Sequence, residues 1–285
     1  MKHIFIQLDT DAHPSAFDSV VATDSGADQL LRYGSVTPRD VEAIVHGAIF
    51  TRGASDLKNT AIFIGGTDAD AGDELLHAVQ EAFFGPMRVS VMVDCNGSNT
   101  TAAAAVRSIE RHVKLEKLDA LVLGASGPVG RRVAELLAAE GAQVRVASRS
   151  LDRAQEACTA IRGNVADANV SPYESTDDGI AAAVDGINVV VASGAAGVQF
   201  LQAEEWQAID TLKVAVDLNA VPPVGLAGIE SADRGVERES VICYGALGVG
   251  SLKMAVHRAA IARLFASNDA VLDTAAIYSL SGELD

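Results

Sequence analysis

Along most of the chain, short runs of consecutive apolar residues alternate with stretches in which apolar residues return every third or fourth position. IFIQLD (4–9) and NTAIFIGG (59–66) read as buried strands that end in polar or glycine-rich turns. RVSVMVD (88–94) sets Val89, Val91 and Val93 on one face of a third strand. Two helices are expected between these strands. TPRDVEAIVHGA opens with Thr37 as N-cap, Pro38 at the first helical position and Asp40 three residues after the cap, and it aligns Val41, Ile44, Val45 and Ala48. DADAGDELLHAVQEAFF aligns Leu75, Leu76, Val79 and Phe83 in the same way.

Beyond the loop DCNGSN (94–99), the alanine-rich TTAAAAVRSIERHV predicts a helix, and DALVLGA (119–125) predicts a strand. The order then runs glycine turn, helix PVGRRVAELLAAEG, strand QVRVASR, helix LDRAQEACTAIR, and strands at INVVVAS (187–193) and KVAVDLN (213–219). Strand–helix alternation with nearly continuous apolar strands predicts an α/β fold with a doubly wound parallel sheet. SLKMAVHRAAIARLFAS (251–267) predicts one long helix with Leu252, Ala255, Val256, Ala259 and Leu264 on its apolar side. The expected organisation is a first domain over residues 1–103, a complete nucleotide-type domain over 104–250, and a helical segment over 251–285 that returns to the first domain.

A length of 285 residues suits two domains, and 49% apolar with 21% charged residues is a globular balance. The net charge of −16 argues against nucleic acid and anionic membrane as partners. Of the 22 basic residues 14 fall between 104 and 253, where a phosphate-bearing ligand is expected. Cys95, Cys158 and Cys243 stand far apart, with no CxxC pair and no histidine at ligand spacing, so no disulfide framework and no metal site is expected. No apolar run approaches the ~20 residues of a membrane span, and the N-terminal apolar stretch meets acids at once, unlike a signal peptide. A soluble, cytoplasmic protein is the expectation.

The strongest local signal is Gly124-Ala-Ser126-Gly127-Pro128-Val129-Gly130, between an apolar strand and an amphipathic helix. Glycines tighten such a turn, let backbone amides approach a pyrophosphate and let the helix pack on the strand, while the helix N-terminus supplies partial positive charge. The competing reading is an ordinary βα turn. Nineteen residues after Gly130, where an NAD-selective site places Asp or Glu, stands Arg149, flanked by Ser148 and Ser150, with Arg153 four residues on. A guanidinium takes a 2′-phosphate bidentately, so NADP is expected, with NAD the weaker alternative. Ser193, Gly194 and Ala195 after the fourth strand, and Asn219 after the fifth, are expected to border the nicotinamide end of the cofactor.

GALGVGSLK (245–253) reads as a hinge, with Lys253 near the start of the last helix, an unfavourable place for a cation unless it is used. In the first domain, polar residues gather at strand ends: Asp9, Asp11, His13 and Ser15, then Asp94, Asn96, Ser98, Asn99, Thr100 and Thr101. Helix capping and turn formation are the plain readings of these residues. No Ser-His-Asp order, HExxH, Walker loop or TyrxxxLys pair is present, which counts against hydrolases, metalloproteases, phosphotransferases and short-chain dehydrogenases.

QLDTDAHPSAFD, YGSVTP, IFTRG, IFIGG, DCNGSNTTAAA, GPVG, LNAVPPVGLAGI and GALGVGSLKMAVHRA together resemble the bacterial NADP-dependent methylene-tetrahydromethanopterin dehydrogenases of one-carbon metabolism, which have relatives that use tetrahydrofolate. The resemblance spans essentially the whole chain. It implies a pterin domain built from both chain ends, an inserted NADP (Rossmann) domain, and a homo-oligomer, a trimer or a multiple of one. The implied reaction is reversible hydride transfer from N5,N10-methylene-tetrahydropterin to the nicotinamide; from their places in the chain, Lys253 is the expected catalytic residue and Asp11, His13, Ser15, Asn96, Ser98, Asn99 and Thr101 are expected on the pterin side. The turn departs from the family pattern in placing Gly124 one position early. A shikimate-dehydrogenase-like NADP oxidoreductase and a non-catalytic NADP sensor are the alternatives.

Overall fold

Alternation along the first strands fills both faces of one sheet. A computed structural model describes residues 1–284, and these form two units, one of residues 1–100 with residues 254 onward, the other of residues 101–253. The first unit contains β1 (Ile4–Asp9), α1 (Ala16–Asp24), β2 (Gln29–Tyr33), α2 (Pro38–Ile49), β3 (Thr60–Gly65), α3 (Ala69–Glu81) and β4 (Ser90–Val93). Helix α4 (Ser98–Glu110) then leads into the second unit.

That second unit holds β5 (Asp119–Leu123), α5 (Pro128–Ala139), β6 (Gln143–Ser148), α6 (Leu151–Asn164), β7 (Val170–Glu174), α7 (Asp177–Ala183), β8 (Val189–Ala192), α8 (Ala203–Gln207), β9 (Val214–Asp217), β10 (Arg234–Arg238) and β11 (Val241–Tyr244). Helix α9 (Ala246–Arg263) runs back into the first unit, which ends with β12 (Val271–Leu272) and α10 (Thr274–Ser281). No helix among the described residues is long and apolar enough to cross a membrane.

The first sheet is parallel throughout, in the order β12-β4-β3-β1-β2. Ile6 and Leu8, Ile62 and Ile64, and Val91 and Val93 pack with Val41, Val45, Leu75 and Val79 of α2 and α3 on one face. By the two-residue period, Phe5, Gln7, Asp9, Phe63 and Met92 belong to the other face, and all five are fully buried. The expected capping box is present at α2, where the Asp40 carboxylate accepts from the backbone N–H and the hydroxyl of Thr37. The Thr37 bonds hold the Asp40 carboxyl below its usual value.

The second sheet runs β10-β11-β9-β8-β5-β6-β7, parallel except for the antiparallel β10. The chain starts in the middle at β5, winds outward to β7, then returns to β8 on the other side. The strand order therefore reverses between β5 and β8, and open parallel sheets bind ligands at the carboxyl ends of the strands at such a point. Trp206, fully buried, anchors one face by donating from Nε1 to the Ala227 carbonyl.

Four readings of the sequence change here. β7 and β2 escape the pattern because both are edge strands: Pro172 interrupts β7, where an edge tolerates a missing donor, and β2 is mostly exposed. The segment GALGVGSL is not a hinge but the first turns of α9. Its glycines permit close backbone approach, since a Cβ on Gly248 would lie 1.8 Å from the Asp233 carbonyl and one on Gly245 would lie 2.0 Å from that of Glu230. The N–H groups of Leu247 and Gly248, among those left unpaired at any helix start, both donate to the Ser231 carbonyl. Lys253 is consequently in the interior of α9, and the argument from an unfavourable helix-start cation no longer applies. On the predicted stripe, Leu252, Val256 and Leu264 are buried, whereas Ala255 is exposed.

β10 and β11 are joined by the two-residue loop Glu239-Ser240, with φ of +46° and +70°. A type I′ turn demands positive φ at both positions and favours Asn-Gly. Arg238 steadies the hairpin by a bidentate pair with Asp233, which raises the Arg238 pKa. Ser240→Gly is expected to raise stability by about 0.5–1 kcal/mol, relief of left-handed strain outweighing the added chain entropy. Urea unfolding followed by circular dichroism checks it, and a lower midpoint contradicts it.

Candidate active site

In the second unit, the carboxyl end of β5 opens into the glycine turn. Gly124 has φ +74°, and a Cβ there would lie 2.6 Å from the Cα of Gly194. A Cβ on Gly130 would meet the Ser193 hydroxyl at 2.4 Å and the Ala125 Cα at 2.8 Å. Gly127 precedes α5 as N-cap with no side chain to fill the helix end, and Pro128 starts the helix with its φ already set. The turn therefore leaves the N-cap of α5 without a side chain, which lets an anion approach the backbone N–H groups of the helix start.

A cavity of about 810 Å³ lies over this turn. Of the cofactor residues expected from sequence, Gly124, Ser126, Gly127, Ser148, Arg149, Arg153, Ser193, Gly194 and Ala195 all line it. The Ser148 hydroxyl donates to Ser126 Oγ at 2.8 Å, tying the end of β6 to the glycine turn. Arg149 and Arg153 are exposed, and Ser150 is the N-cap of α6 with its side chain not engaged in capping. Pro128, Val129, Gly130, Ser150 and Asn219 do not line the cavity.

Asn219 is buried, and its Nδ2 has no hydrogen-bond partner. Its loop is fixed by Asp217, which accepts from the backbone N–H groups of Asn219 and Leu226. Burial pushes the Asp217 carboxyl up, and those bonds partly offset it.

Sequence reasoning missed the far wall of the cavity. Ser175, Thr176, Asp177 and Ile180 line it at the end of β7, and Val198 and Phe200 line it beyond β8. The first group follows the edge strand hidden by Pro172. The only available signal for the second was the glycine spacing of SGAAG, because Phe200 sits against Gly194, whose Cβ would lie 2.4 Å from its ring.

In the first unit, the polar residues at the strand ends form two hydrogen-bonded nodes. Fully buried Asp9 accepts from the backbone N–H groups of Asp11 and Ser15 and from Gln7 Nε2. Ser15, not Asp11, caps α1, accepting from the Asp18 N–H; the Asp11 carboxylate instead accepts from Thr67 Oγ1. His13 is exposed. The second node is Asp94, which accepts from Asn99 N–H, Thr100 N–H and the Thr100 hydroxyl.

Asn99 is buried, donates to the Val93 carbonyl and accepts from the Thr274 hydroxyl. Ser98 is also buried, whereas Asn96, at φ +53°, is exposed. Thr101 stands in α4 as the first residue of the second unit. Sequence reasoning also passed over Phe17, Asp18 and His257. They lay inside quoted segments, but α1 was not recognised as a helix and His257 sits among apolar residues.

None of the cysteines is poised for chemistry: all are buried, burial raises the Cys158 thiol pKa, and Cys243 is pushed up to about 12 by burial and by Asp233. Among the described residues no group of three or more His, Cys, Asp or Glu side chains is arranged to hold a metal ion.

Residues 16–96 match the family model for the N-terminal part of methylene-tetrahydromethanopterin dehydrogenase, and residues 117–227 match that for short chain dehydrogenase. The second match covers the glycine-turn sheet, although the chain has no TyrxxxLys pair. A solved quinate dehydrogenase from Corynebacterium glutamicum in complex with NAD shares the fold, with a TM-score of 0.52 over 99% of both chains at 15% identity. A shikimate dehydrogenase (NADP(+)) of Halorubrum lacusprofundi is 40% identical, but over only 32% of this chain and 33% of its own.

Two proteins of Methylorubrum extorquens are similar over far more. The bifunctional protein MdtA is 46% identical over 99% of both chains. An NAD(P)-dependent methylenetetrahydromethanopterin dehydrogenase is 33% identical over 85% of this chain and 84% of its own. With both units represented in these matches, the chain belongs to the methylene-tetrahydromethanopterin dehydrogenase family.

Proposed function

We propose that this protein transfers a hydride reversibly between N5,N10-methylene-tetrahydromethanopterin and NADP, leaving the methenyl cation, with methylene-tetrahydrofolate as a related substrate. The observation that carries the cofactor half is the cavity over the glycine turn, with Arg149 directly after β6, where an acid would select NAD, and Arg153 in the first turn of α6. The residues fit a dinucleotide: the glycine turn suits a pyrophosphate, and the exposed guanidinium of Arg149, with Arg153 on the same cavity, suits a 2′-phosphate. The nicotinamide ring accepts or returns the hydride.

For the pterin, the reading rests on the first unit, with Asp11, His13, Ser15 and the Asn96 to Thr101 segment as its binding region. The methenyl carbon shares its positive charge between two nitrogens, so the chain has no proton to move at that carbon. Its contribution is to orient two rings and exclude water. Lys253 holds the pterin in this scheme without transferring a proton. The same reading makes the protein a cytoplasmic homo-oligomer, a trimer or a multiple of one, and the exposed Leu31 and Tyr33 on the open edge strand β2 support association.

One assay tests the reading: reduction of NADP and NAD followed at 340 nm with each methylene-tetrahydropterin, and no turnover with either pterin overturns it. Arg149→Asp is expected to weaken NADP binding by about 1.5–3 kcal/mol, the worth of hydrogen bonds to a charged group, and to leave NAD nearly unchanged. An unaltered NADP/NAD ratio of kcat/KM rejects the role. Lys253→Ala is expected to lower kcat/KM for the pterin about 100-fold through misalignment, while the NADP Kd barely moves. Near wild-type kinetics with both pterins would remove Lys253 from the site.

A further inference from the structure

His257 is fully buried in the first unit. Its Nδ1 lies 3.8 Å from Asp94 Oδ2 and its Nε2 lies 3.8 Å from Asp18 Oδ1. A neutral imidazole has one N–H and one lone pair, and the lone pair would face a carboxylate; the doubly protonated ring meets an anion on both sides. The ring stacks on Phe63, with centroids 6.0 Å apart and planes 11° from parallel, and Phe17 is tilted against it, also at 6.0 Å. The ring thus lies between two carboxylates and two aromatic rings, in the face of the sheet that carries Gln7 and Asp9.

The two carboxylates differ. Asp94 is fully buried and already accepts three hydrogen bonds from α4, so it is a fixed anchor. Asp18 retains some exposure, its side chain being 12% accessible, and it follows Phe17, which is 52% exposed. Both lie in α1, directly after the loop that runs from Asp11 to Ser15. The order Asp94, His257, Asp18 thus runs from a fully buried anion through a buried ring to a less deeply buried carboxylate, with an exposed aromatic ring beside it.

We infer that His257 is a positioning residue for the pterin. Anchored on Asp94, it holds Asp18 and Phe17 as a preset surface for a flat, donor-rich heterocycle. The aminopyrimidinone ring of a pterin carries two N–H donors side by side, which a carboxylate accepts together, and its plane stacks on an aromatic ring. Asp18 accepts from that edge, Phe17 covers the ring, and His257 touches neither the pterin nor the transferred hydride. This assignment rests on the proposed pterin dehydrogenase activity and specifies which side chains hold the ring.

The test compares His257→Gln, Asp18→Asn, Phe17→Ala and the double variant His257→Gln/Asp18→Asn. Steady-state kinetics with methylene-tetrahydromethanopterin, NADP Kd by titration and thermal unfolding are measured on each. His257→Gln and Asp18→Asn are each expected to raise the pterin KM about tenfold or more, with a smaller fall in kcat and NADP Kd within about twofold. Because His257 acts through Asp18, the double variant is expected to have about the KM of Asp18→Asn alone.

A purely structural histidine would lower thermal stability and leave the KM unmoved, or add its effect to that of Asp18→Asn; either result overturns the inference. If His257→Gln does not fold, the other two single variants decide, since Phe17 is exposed and Asp18 is less deeply buried than His257. An unchanged pterin KM in both overturns it, and a raised KM in both supports it. A wild-type protein that oxidises neither methylene-tetrahydropterin overturns the functional reading itself, whereas an active wild type with unaffected variants overturns only the assignment of His257.

Discussion

The carboxyl ends of β5 and β8 approach so closely that a Cβ on Gly124 would lie 2.6 Å from the Cα of Gly194, and the nucleotide-binding unit is arranged around that approach. The chain reverses its winding between these two strands, so their turns must cross the same small space. Bulk is excluded from the turn on three sides: Gly194 faces Gly124, Ser193 fills the position that a side chain on Gly130 would need, and Phe200 closes over Gly194. What remains is backbone N–H density at the amino end of α5 with a cavity above it. An alanine at Gly130 would have to push α5 away from Ala125, and the helix N-terminus would lose its aim before any contact to a ligand was removed.

Elsewhere, strand-terminal aspartates do the work that glycine does at that turn. Asp9 ends β1, Asp94 follows β4 and Asp217 ends β9, and each accepts backbone N–H groups from the segment that follows, a loop for Asp9 and Asp217 and the start of α4 for Asp94. A buried carboxylate without donors would be costly, whereas two or three N–H bonds compensate the burial and fix the loop in one conformation. At Asp217 the two effects are visible in opposition, burial raising its pKa and the bonds from Leu226 and Asn219 lowering it. The polar floor of the first unit is accordingly rigid. Most of the polar residues that stand out there in the sequence are occupied in shaping it.

This occupation explains which parts of the site were legible in the sequence. The glycine turn could be read because its constraint is local: a strand, four residues and a helix specify it. Arg149 could be read because its distance from the turn is set by one helix and one strand. Asn99 has the residue type of a ligand but spends its amide on Val93 and Thr274, a use that sequence spacing cannot reveal because Thr274 is 175 residues away. Edge strands fail for a different reason. β2 and β7 carry no inward-facing periodicity to detect, and with β7 the cavity wall at Ser175 and Thr176 was lost. In GALGVGSL, glycines chosen for close packing imitate a flexible hinge, and only the neighbouring carbonyls of Glu230 and Asp233 separate the two meanings.

Hydride transfer to or from a pterin constrains the charges around the reacting carbon more than it demands any one catalytic group. In the oxidative direction a neutral bridge becomes a cation, and a second full positive charge 4 Å away would oppose it by about 4 kcal/mol at an effective dielectric of 20, nearly three orders of magnitude in rate. An ammonium such as that of Lys253 is compatible with this chemistry only against the carbonyl side of the pterin, away from the bridging carbon, or with its charge matched by a carboxylate. The net charge of −16 favours a cationic product and disfavours an anionic cofactor, and the clustering of basic residues between 104 and 253 answers the second effect without undoing the first. At the buried histidine the same logic is internal to the first unit. The imidazole lies between two carboxylates, and the more accessible of them, Asp18, is the one that an N–H-rich ring edge can reach.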